Sequence, residues 1–312
     1  MSGGELTGVI LSAGKGSRID PFNQHYPKPL LPIANLPIMG HHIEIFKSLG
    51  VKKVKIVVGH LMEKIIGYFG SGEKFGVAIE YIEQESTLGI AHAVGRLEKY
   101  VDGPFLLVLG DIFYAPRRLD DMVVRFAAQK GGAVLAVMTE DDPERLKKNF
   151  SVELDALGRV RRVIEKPRNP PNNLKGCGIY MFGPEVFDAV RKTPRTALRD
   201  EYEITSSIQI LIDDGHPVSV ADVVAWDYNI TFPEDLLQAN LKYLDEHGMA
   251  AAIAPTAKIH ADAAIERSSV GDGVVISQPV RIRDSVILPG SRITRAAEIS
   301  NMIVSPETWY QC

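Results

Sequence analysis

Short apolar runs, each stopped by a glycine or a polar residue, alternate in the first half of the chain with segments whose apolar residues recur at helical spacing. The runs are LTGVIL (6–11), KVKIVVG (53–59), VAIEYIEQ (77–84), PFLLVLGD (104–111) and AVLAVMTE (133–140). Between them lie IMGHHIEIFKSLG (38–50), LMEKIIGYFG (61–70), LGIAHAVGRLEKYV (88–101) and RLDDMVVRFAAQKG (118–131). A strand reached through a helix returns parallel to its predecessor, and parallel strands are buried on both faces, so their runs can be continuously apolar. The alternation therefore predicts an α/β fold with a mostly parallel central sheet and helices on both faces. Ligands of such sheets bind beyond the carboxyl ends of the strands. The stretch after Leu11, and Asp111 after LLVLG, would both lie there.

After about residue 140 the pattern changes. SVELDALGRVRRVIEKP (151–167) predicts two strands joined by a turn at 156–158, and LKGCGIYMFG (174–183) a further strand. Helices are expected over PEVFDAVRK (184–192), EYEITSSIQILIDDG (201–215) and PEDLLQANLKYLDEHG (233–248). From Ala251 onward Ile253, Ile259 and Ile265 recur every six residues, and Ile276 and Ile282 repeat that spacing after a slip around Val270. A six-residue period marks a parallel β-helix in which each apolar residue points into a prism core. So short a stub leaves open edges unless it packs on the main domain or on another subunit. The expected division is a domain over 1–250 and a tail over 251–312.

The stretch LSAGKGSRIDPFNQHYPKPLLPI (11–33) combines small residues with Lys15, Arg18 and Lys28, the last held between Pro27 and Pro29. Glycine lets a ligand approach the main chain, and exposed N–H groups with Lys and Arg suit phosphate. The spacing is neither that of a P-loop nor that of the dinucleotide fingerprint. A net charge of −4 supplies no bulk attraction for nucleic acid or an anionic membrane, so any phosphate site is local and neither partner is expected. Cys177 and Cys312, the two cysteines, suggest no disulfide framework or zinc site, which suits a reducing cytoplasm. No signal peptide is visible and no apolar stretch is long enough to span a bilayer, so a cytoplasmic location is expected.

The whole stretch, small-small-Gly-x-Gly-Ser-Arg followed by Pro21 and Pro27-Lys28-Pro29, resembles the signature of the sugar-1-phosphate nucleotidyltransferases. The resemblance continues through QESTLGIAHAV (84–94), LGD (109–111), IEKP (164–167), RDEYEIT (199–205) and NITFPEDL (229–236). Longer members of the family also carry a hexapeptide tail, a left-handed parallel β-helix, and the pattern is nearest to the long-form glucose-1-phosphate thymidylyltransferases. The resemblance implies a Rossmann-like nucleotidyltransferase domain and a Mg²⁺-dependent reaction. A hexose 1-phosphate, glucose 1-phosphate first, would join a pyrimidine nucleoside triphosphate, dTTP or UTP, giving an NDP-sugar and pyrophosphate. Arg18, Lys28 and Asp111 would carry catalysis. Leu11, Ser12, Ala13, Gly14, Gly16, Ser17, Gln84 and Gly89 would bind the nucleotide, and Glu165, Lys166, Gly178 and Arg199 the sugar phosphate. Asp111 and Asn229 would hold Mg²⁺, with Asp227 a further candidate.

The chemistry is consistent with this set. A sugar phosphate is already mostly dianionic at neutral pH, its second pKa being about 6. No general base is needed, and the protein must supply positive charge and positioning. Hard oxygen ligands suit Mg²⁺. Five positions depart from the pattern: Asn23, Ile112, Ser151, Asp200 and Asn229. Plainer roles stand beside the functional ones: Asp111 as a turn residue, Glu165 and Lys166 as a surface ion pair, Gln84 as a loop amide, and Arg199 as a neutraliser of Asp200, Glu201 and Glu203. Trp226 is either a packing residue or a ligand wall. His41, His42 and His92 show no metal spacing and are read as structural. Two other functions compete: a hexapeptide-type acyltransferase, for which His260 is the one histidine of the tail, and a non-catalytic regulatory homologue. The isoleucine tail needs a partner surface, so a homo-oligomer is expected.

Overall fold

The computed structural model describes residues 5–84, 86, 88–196 and 200–312. In chain order the elements before the tail are β1 (Thr7–Ser12), β2 (Pro32–Ile33), β3 (Leu36–Pro37), α1 (Ile38–Ser48), β4 (Lys53–Val58), α2 (Met62–Phe69), β5 (Ala78–Glu83) and α3 (Ile90–Gly95). There follow β6 (Phe105–Leu109), β7 (Ile112–Pro116), α4 (Asp120–Gln129), β8 (Ala133–Thr139), α5 (Pro143–Leu146), β9 (Phe150–Leu154), β10 (Val160–Glu165) and β11 (Leu174–Phe182). α6 (Val186–Lys192), α7 (Ile204–Asp213), β12 (Val218–Asp222), β13 (Val224–Asn229) and α8 (Pro233–Glu246) complete this part. By compactness the chain divides into two units, one running to Gly14 and resuming over His42–Asp227, the other made of Lys15–His41 and Tyr228–Cys312.

The first unit is built on one sheet in the order β10-β9-β11-β6-β1-β4-β5, with β8 also on β11 and β12 on β8. β5, β4, β1 and β6 run parallel, as the helix-strand alternation predicts. β11 lies antiparallel between β6 and β8, so the sheet is mixed beyond its parallel half. β9 and β10 form the antiparallel pair expected around 156–158. β7, β12 and β13 are strands that the apolar pattern did not announce; their runs are short and interrupted by charged or small residues. Helices cover both faces. Ala91 and Val94 of α3, Phe187 of α6 and Ile208 of α7 pack with Val9, Leu107 and Tyr180 in one core. On the opposite face a side chain at Gly8 would collide with the Phe46 ring of α1, at 2.6 Å, so the bare strand lets the helix seat closely.

In the second unit the tail forms three parallel ladders, a parallel β-helix with a repeat of 17 residues: Ala252 lies beside Ser269, Ser269 beside Val286 and Val286 beside Ile303. Each coil is two steps of six and one of five. The prism core therefore runs Ile259, Ile265, Val270, Ile276, Ile282, Ile287, Ile293, Ile299, Val304. The slip seen at Val270 is this five-residue step, and it recurs in every coil. Ile253, expected in the core, is 46% exposed, because the first coil has a neighbour on one side only. At the other end Trp309–Gln311 pairs antiparallel with Met302–Val304 and closes that edge.

The tail seats on its own chain. Asn240 of α8 is buried and makes four bonds: its Nδ2 donates to the carbonyls of Pro32 and Leu236 at 2.9 Å each, and its Oδ1 accepts from Ala34 N–H at 2.9 Å and Ser269 Oγ at 2.8 Å. A saturated buried amide of this kind rigidifies what it joins; here it joins helix, hairpin and tail.

Candidate functional site

Leu11 to Gly14, Gln84 and Asp111, candidate residues of the first unit, lie at or just beyond the carboxyl ends of the parallel strands β1, β5 and β6. Leu11 at the end of β1 lies beside Leu109 at the end of β6 and Val57 of β4. Gly110 N–H donates to the Leu11 carbonyl at 2.9 Å, fixing the turn that presents Asp111, half-buried between β6 and β7. Ser12 and Ala13 are buried and Gly14 is exposed. A Cβ at Gly14 would meet no described atom within 4 Å, so packing does not demand glycine there, whereas close approach of a ligand would. The buried Ser12 Oγ finds no partner among the described residues, the condition of a hydroxyl placed for a ligand.

Gln84 directly follows β5 and is only 5% exposed. Its backbone N–H donates to the Val58 carbonyl at 2.8 Å. Its Nε2 lies 3.0 Å from the Ser86 carbonyl and 3.0 Å from His92 Nδ1. Gly89, at φ +108°, caps α3; a Cβ there would lie 2.5 Å from the Tyr202 carbonyl oxygen. Glycine is thus required because Leu88 and Ala91 clip the Tyr202 backbone, accepting from its N–H at 2.8 Å and donating to its carbonyl at 3.0 Å. His92, read from the sequence as structural, touches the candidate base reader; no spacing rule links a loop amide to a helix residue eight positions on.

Among the candidate sugar-phosphate residues, Glu165 closes β10 and accepts from Thr205 Oγ1 at 3.3 Å. A cleft of about 710 Å³ beside it is lined by Arg161, Arg162, Val163, Thr205 and Gln209, among others. Lys166 is exposed, 3.9 Å from Glu165, and holds φ +43°, a left-handed conformation that costs a non-glycine residue energy. Its N–H donates to the Asn149 carbonyl at 3.1 Å. The Gly178 carbonyl accepts from Tyr114 Oη at 3.1 Å. Ser151, one of the departures, is buried with its hydroxyl donating to the Leu174 carbonyl at 3.0 Å. Asp200, another, has φ +55° and binds Arg195 Nη2 at 2.8 Å, so it serves the turn that glycine would otherwise serve. Arg199 lies outside the described residues.

In the second unit, Ser17 and Arg18 are exposed on a short helical turn (Ser17–Ile19) anchored by buried Ile19. Lys28 opens a later turn of the same kind (Lys28–Leu30) and is 7% exposed. Gly16 explains how so long a cation is housed. It stands at φ +60°, and a Cβ there would lie 2.9–3.2 Å from three carbons of the Lys28 side chain. The glycine-rich signature thus shapes a bed for its own lysine. Asn229 is exposed, its Oδ1 accepting from Thr231 Oγ1 at 3.3 Å.

Sequence reasoning missed Lys175. Near the start of β11 it forms a buried ion pair with Asp227, the two side chains being 5% and 9% exposed. Burial raises the Asp227 pKa and the Lys175 ammonium opposes the rise. Tyr114, buried nearby, is held well above the usual phenol range by burial, then by the Asp227 and Asp111 carboxylates. Nothing in the string LKGCGIY marked its lysine as buried, since the partner lies 52 residues away. Trp226 is buried against Phe113, with ring centroids 5.2 Å apart. His42 Nε2 bonds the Ile112 carbonyl at 2.8 Å. Among the described residues no group of three or more His, Cys, Asp or Glu is arranged to hold a metal, and no helix is long and apolar enough to cross a membrane.

The nucleotidyl transferase family model matches residues 7–246. Over 306 residues the chain is 32% identical to a glucose-1-phosphate thymidylyltransferase of Streptomyces antibioticus, a match covering 97% of this chain and 82% of the relative. It is 35% identical over 242 residues to a UTP–glucose-1-phosphate uridylyltransferase of Haloferax volcanii, covering 77% of this chain and 98% of the relative. A Bacillus anthracis structure assigned as a glucose-1-phosphate thymidylyltransferase superposes with a TM-score of 0.69 at 27% identity, over 77% of this chain and 96% of that one. With its strand-end turn, its lysine bed and these relatives, the chain belongs to the nucleotidyl transferase family, as a sugar-1-phosphate nucleotidyltransferase.

Proposed function

We propose that the protein joins glucose 1-phosphate to a pyrimidine nucleoside triphosphate, dTTP in preference to UTP. An oxygen of the sugar phosphate attacks the α-phosphorus, the bond to the β-phosphate breaks, and pyrophosphate leaves. The observation that carries this reading is the Lys28 bed: a nearly buried cation shaped by Gly16, on the same loop as exposed Arg18, directly after the turn at the end of β1. Arg18 and the loop amides would bind the triphosphate, and Lys28 would meet charge developing at the α-phosphate. Ser12 and Gly14 leave the nucleotide room, and Gln84 and Gly89 would hold the base. Glu165 would accept from sugar hydroxyls, while Lys166, Gly178 and Arg199 would hold the sugar phosphate.

Asp111 would supply a carboxylate and Asn229 an amide oxygen, hard donors of the kind Mg²⁺ takes, whereas the Asp227 carboxylate is engaged by Lys175. When bound, Mg²⁺ neutralises and aligns phosphate oxygens. Asn229 contributes no charge, so the triphosphate would complete the ligand set and metal would bind with nucleotide. Both a uridylyl and a thymidylyl relative support a pyrimidine; the thymidylyl match also spans the tail, which favours dTTP. In this reading 1–250 carries the reaction and 251–312 is a supporting tail, in a cytoplasmic homo-oligomer.

Pyrophosphate release across a panel of triphosphates and sugar 1-phosphates tests the reading. The expected result is the highest kcat/KM with dTTP or UTP and glucose 1-phosphate, abolished by EDTA and restored by Mg²⁺. A highest kcat/KM with ATP or GTP would overturn it.

A further inference from the structure

We infer that His92 locks the amide of Gln84 in one orientation, so that Gln84 presents only an acceptor to the nucleobase and selects bases that carry a ring N–H. The inference rests on the reading of Gln84 as the base reader, and assigns a positioning residue behind it.

The orientation follows from what each neighbour can do. The Ser86 carbonyl, 3.0 Å from Gln84 Nε2, can only accept, so an N–H faces it. With the amide reversed, two oxygens would face each other there. The same Nε2 lies 3.0 Å from His92 Nδ1. An amide nitrogen does not accept, so Nδ1 must, and the imidazole carries its proton on Nε2. Both hydrogens of the amide are then committed. Oε1 is left as the group able to meet a ligand, and it is an acceptor.

The histidine is itself held. Its ring stacks on Tyr202 at 6.3 Å between centroids and 27° between planes. The Tyr202 backbone is clipped to Leu88 and Ala91 on either side of Gly89. Burial, then the Arg96 guanidinium, lowers the His92 pKa, which favours the neutral imidazole that the Gln84 contact requires. Uracil and thymine offer N3–H to such an oxygen, whereas cytosine offers a lone pair at N3 and adenine one at N1. Acceptor facing acceptor leaves a buried polar group unpaired, the arrangement by which sites reject a near-isosteric ligand most strongly. Without His92 the amide keeps one anchor. Only the Ser86 carbonyl then opposes reversal, and an amide that turns its NH₂ towards the ligand would donate to the cytosine N3 acceptor.

The test is the ratio of kcat/KM for dTTP or UTP over that for CTP, measured on the full chain with glucose 1-phosphate. His92→Phe keeps a ring for Tyr202 and removes the acceptor; His92→Leu is a second acceptor-free variant should the first not fold. His92→Gln offers an amide oxygen to Gln84 Nε2. We expect the wild-type ratio to be on the order of 10² or more. His92→Phe or His92→Leu should lower it about tenfold or more, and His92→Gln should restore most of it. If the acceptor-free variants lose activity equally with all the triphosphates and keep the ratio, His92 is only a packing residue and the inference is overturned. A wild-type preference for CTP or ATP, whose bases carry no ring N–H, overturns both this inference and the reading beneath it.

Discussion

Lys166 stands in a left-handed backbone conformation that glycine would occupy freely, and a lysine side chain adds nothing to the turn itself. The strain costs about 1–2 kcal/mol and is held by the N–H bond to Asn149. Such strain is retained where the side chain serves another purpose. Lys166→Gly should therefore leave Tm unchanged or raise it by about 2 °C, while the KM for sugar 1-phosphate rises about tenfold or more. Calorimetry and steady-state kinetics on one preparation would check both. A lower Tm with an unchanged KM would make the lysine a turn residue. The same physics accounts for Asp200, since aspartate tolerates φ > 0 better than most residues and here also binds Arg195.

At the scale of elements, the tail shows how a repeat is read and misread. An isoleucine every six residues is legible because each short strand of a coil turns one apolar residue into the prism, so the pattern lies in nearby positions. The 17-residue coil was visible only as a slip, because one short corner looks like noise until the ladders show it in every turn. Ile287 sits between Val270 and Val304 in one ladder and is fully buried. Ile287→Ala should destabilise the prism by about 2–4 kcal/mol. Hydrogen exchange should then show amides of 269–304 losing protection while those of 105–109 keep it. Equal loss in both would mean that tail and sheet unfold as one.

At the scale of the molecule, the tail is tied to the loop that carries Arg18 and Lys28, within its own unit. Tyr310 packs edge-on against Phe22, with ring centroids 6.0 Å apart, and donates to Glu234 at 2.9 Å. Asn35 Nδ2 donates to the Ala252 carbonyl at 2.9 Å, and Arg267 pairs with Asp245. Phe22 lies between Arg18 and Lys28 in the chain, so removing 251–312 strips support from the loop that carries both cations. The truncated protein should melt lower and show a raised KM for nucleotide. Exposed Ile253 and Trp309 also leave apolar surface on the tail, and light scattering should show the full chain as a homo-oligomer that truncation reduces. Unchanged melting, KM and mass would make the tail dispensable.

Residues close in sequence determined what could be read without a structure. Strand and helix periods announced the parallel half of the sheet, and one ordered set of motifs located the strand-end turn, the lysine between prolines and the tail. These patterns are carried by backbone geometry, whose repeats of two, 3.6 and six residues are written in consecutive positions. Tertiary structure alone decided the antiparallel place of β11, the burial of Lys175 against Asp227, the bed that Gly16 makes for Lys28, and the anchoring of Gln84 by His92. Each depends on which side chains meet once the chain has turned back on itself. Whether a lysine is a solvated surface charge or a buried partner depends on those neighbours, and spacing along the chain does not encode them.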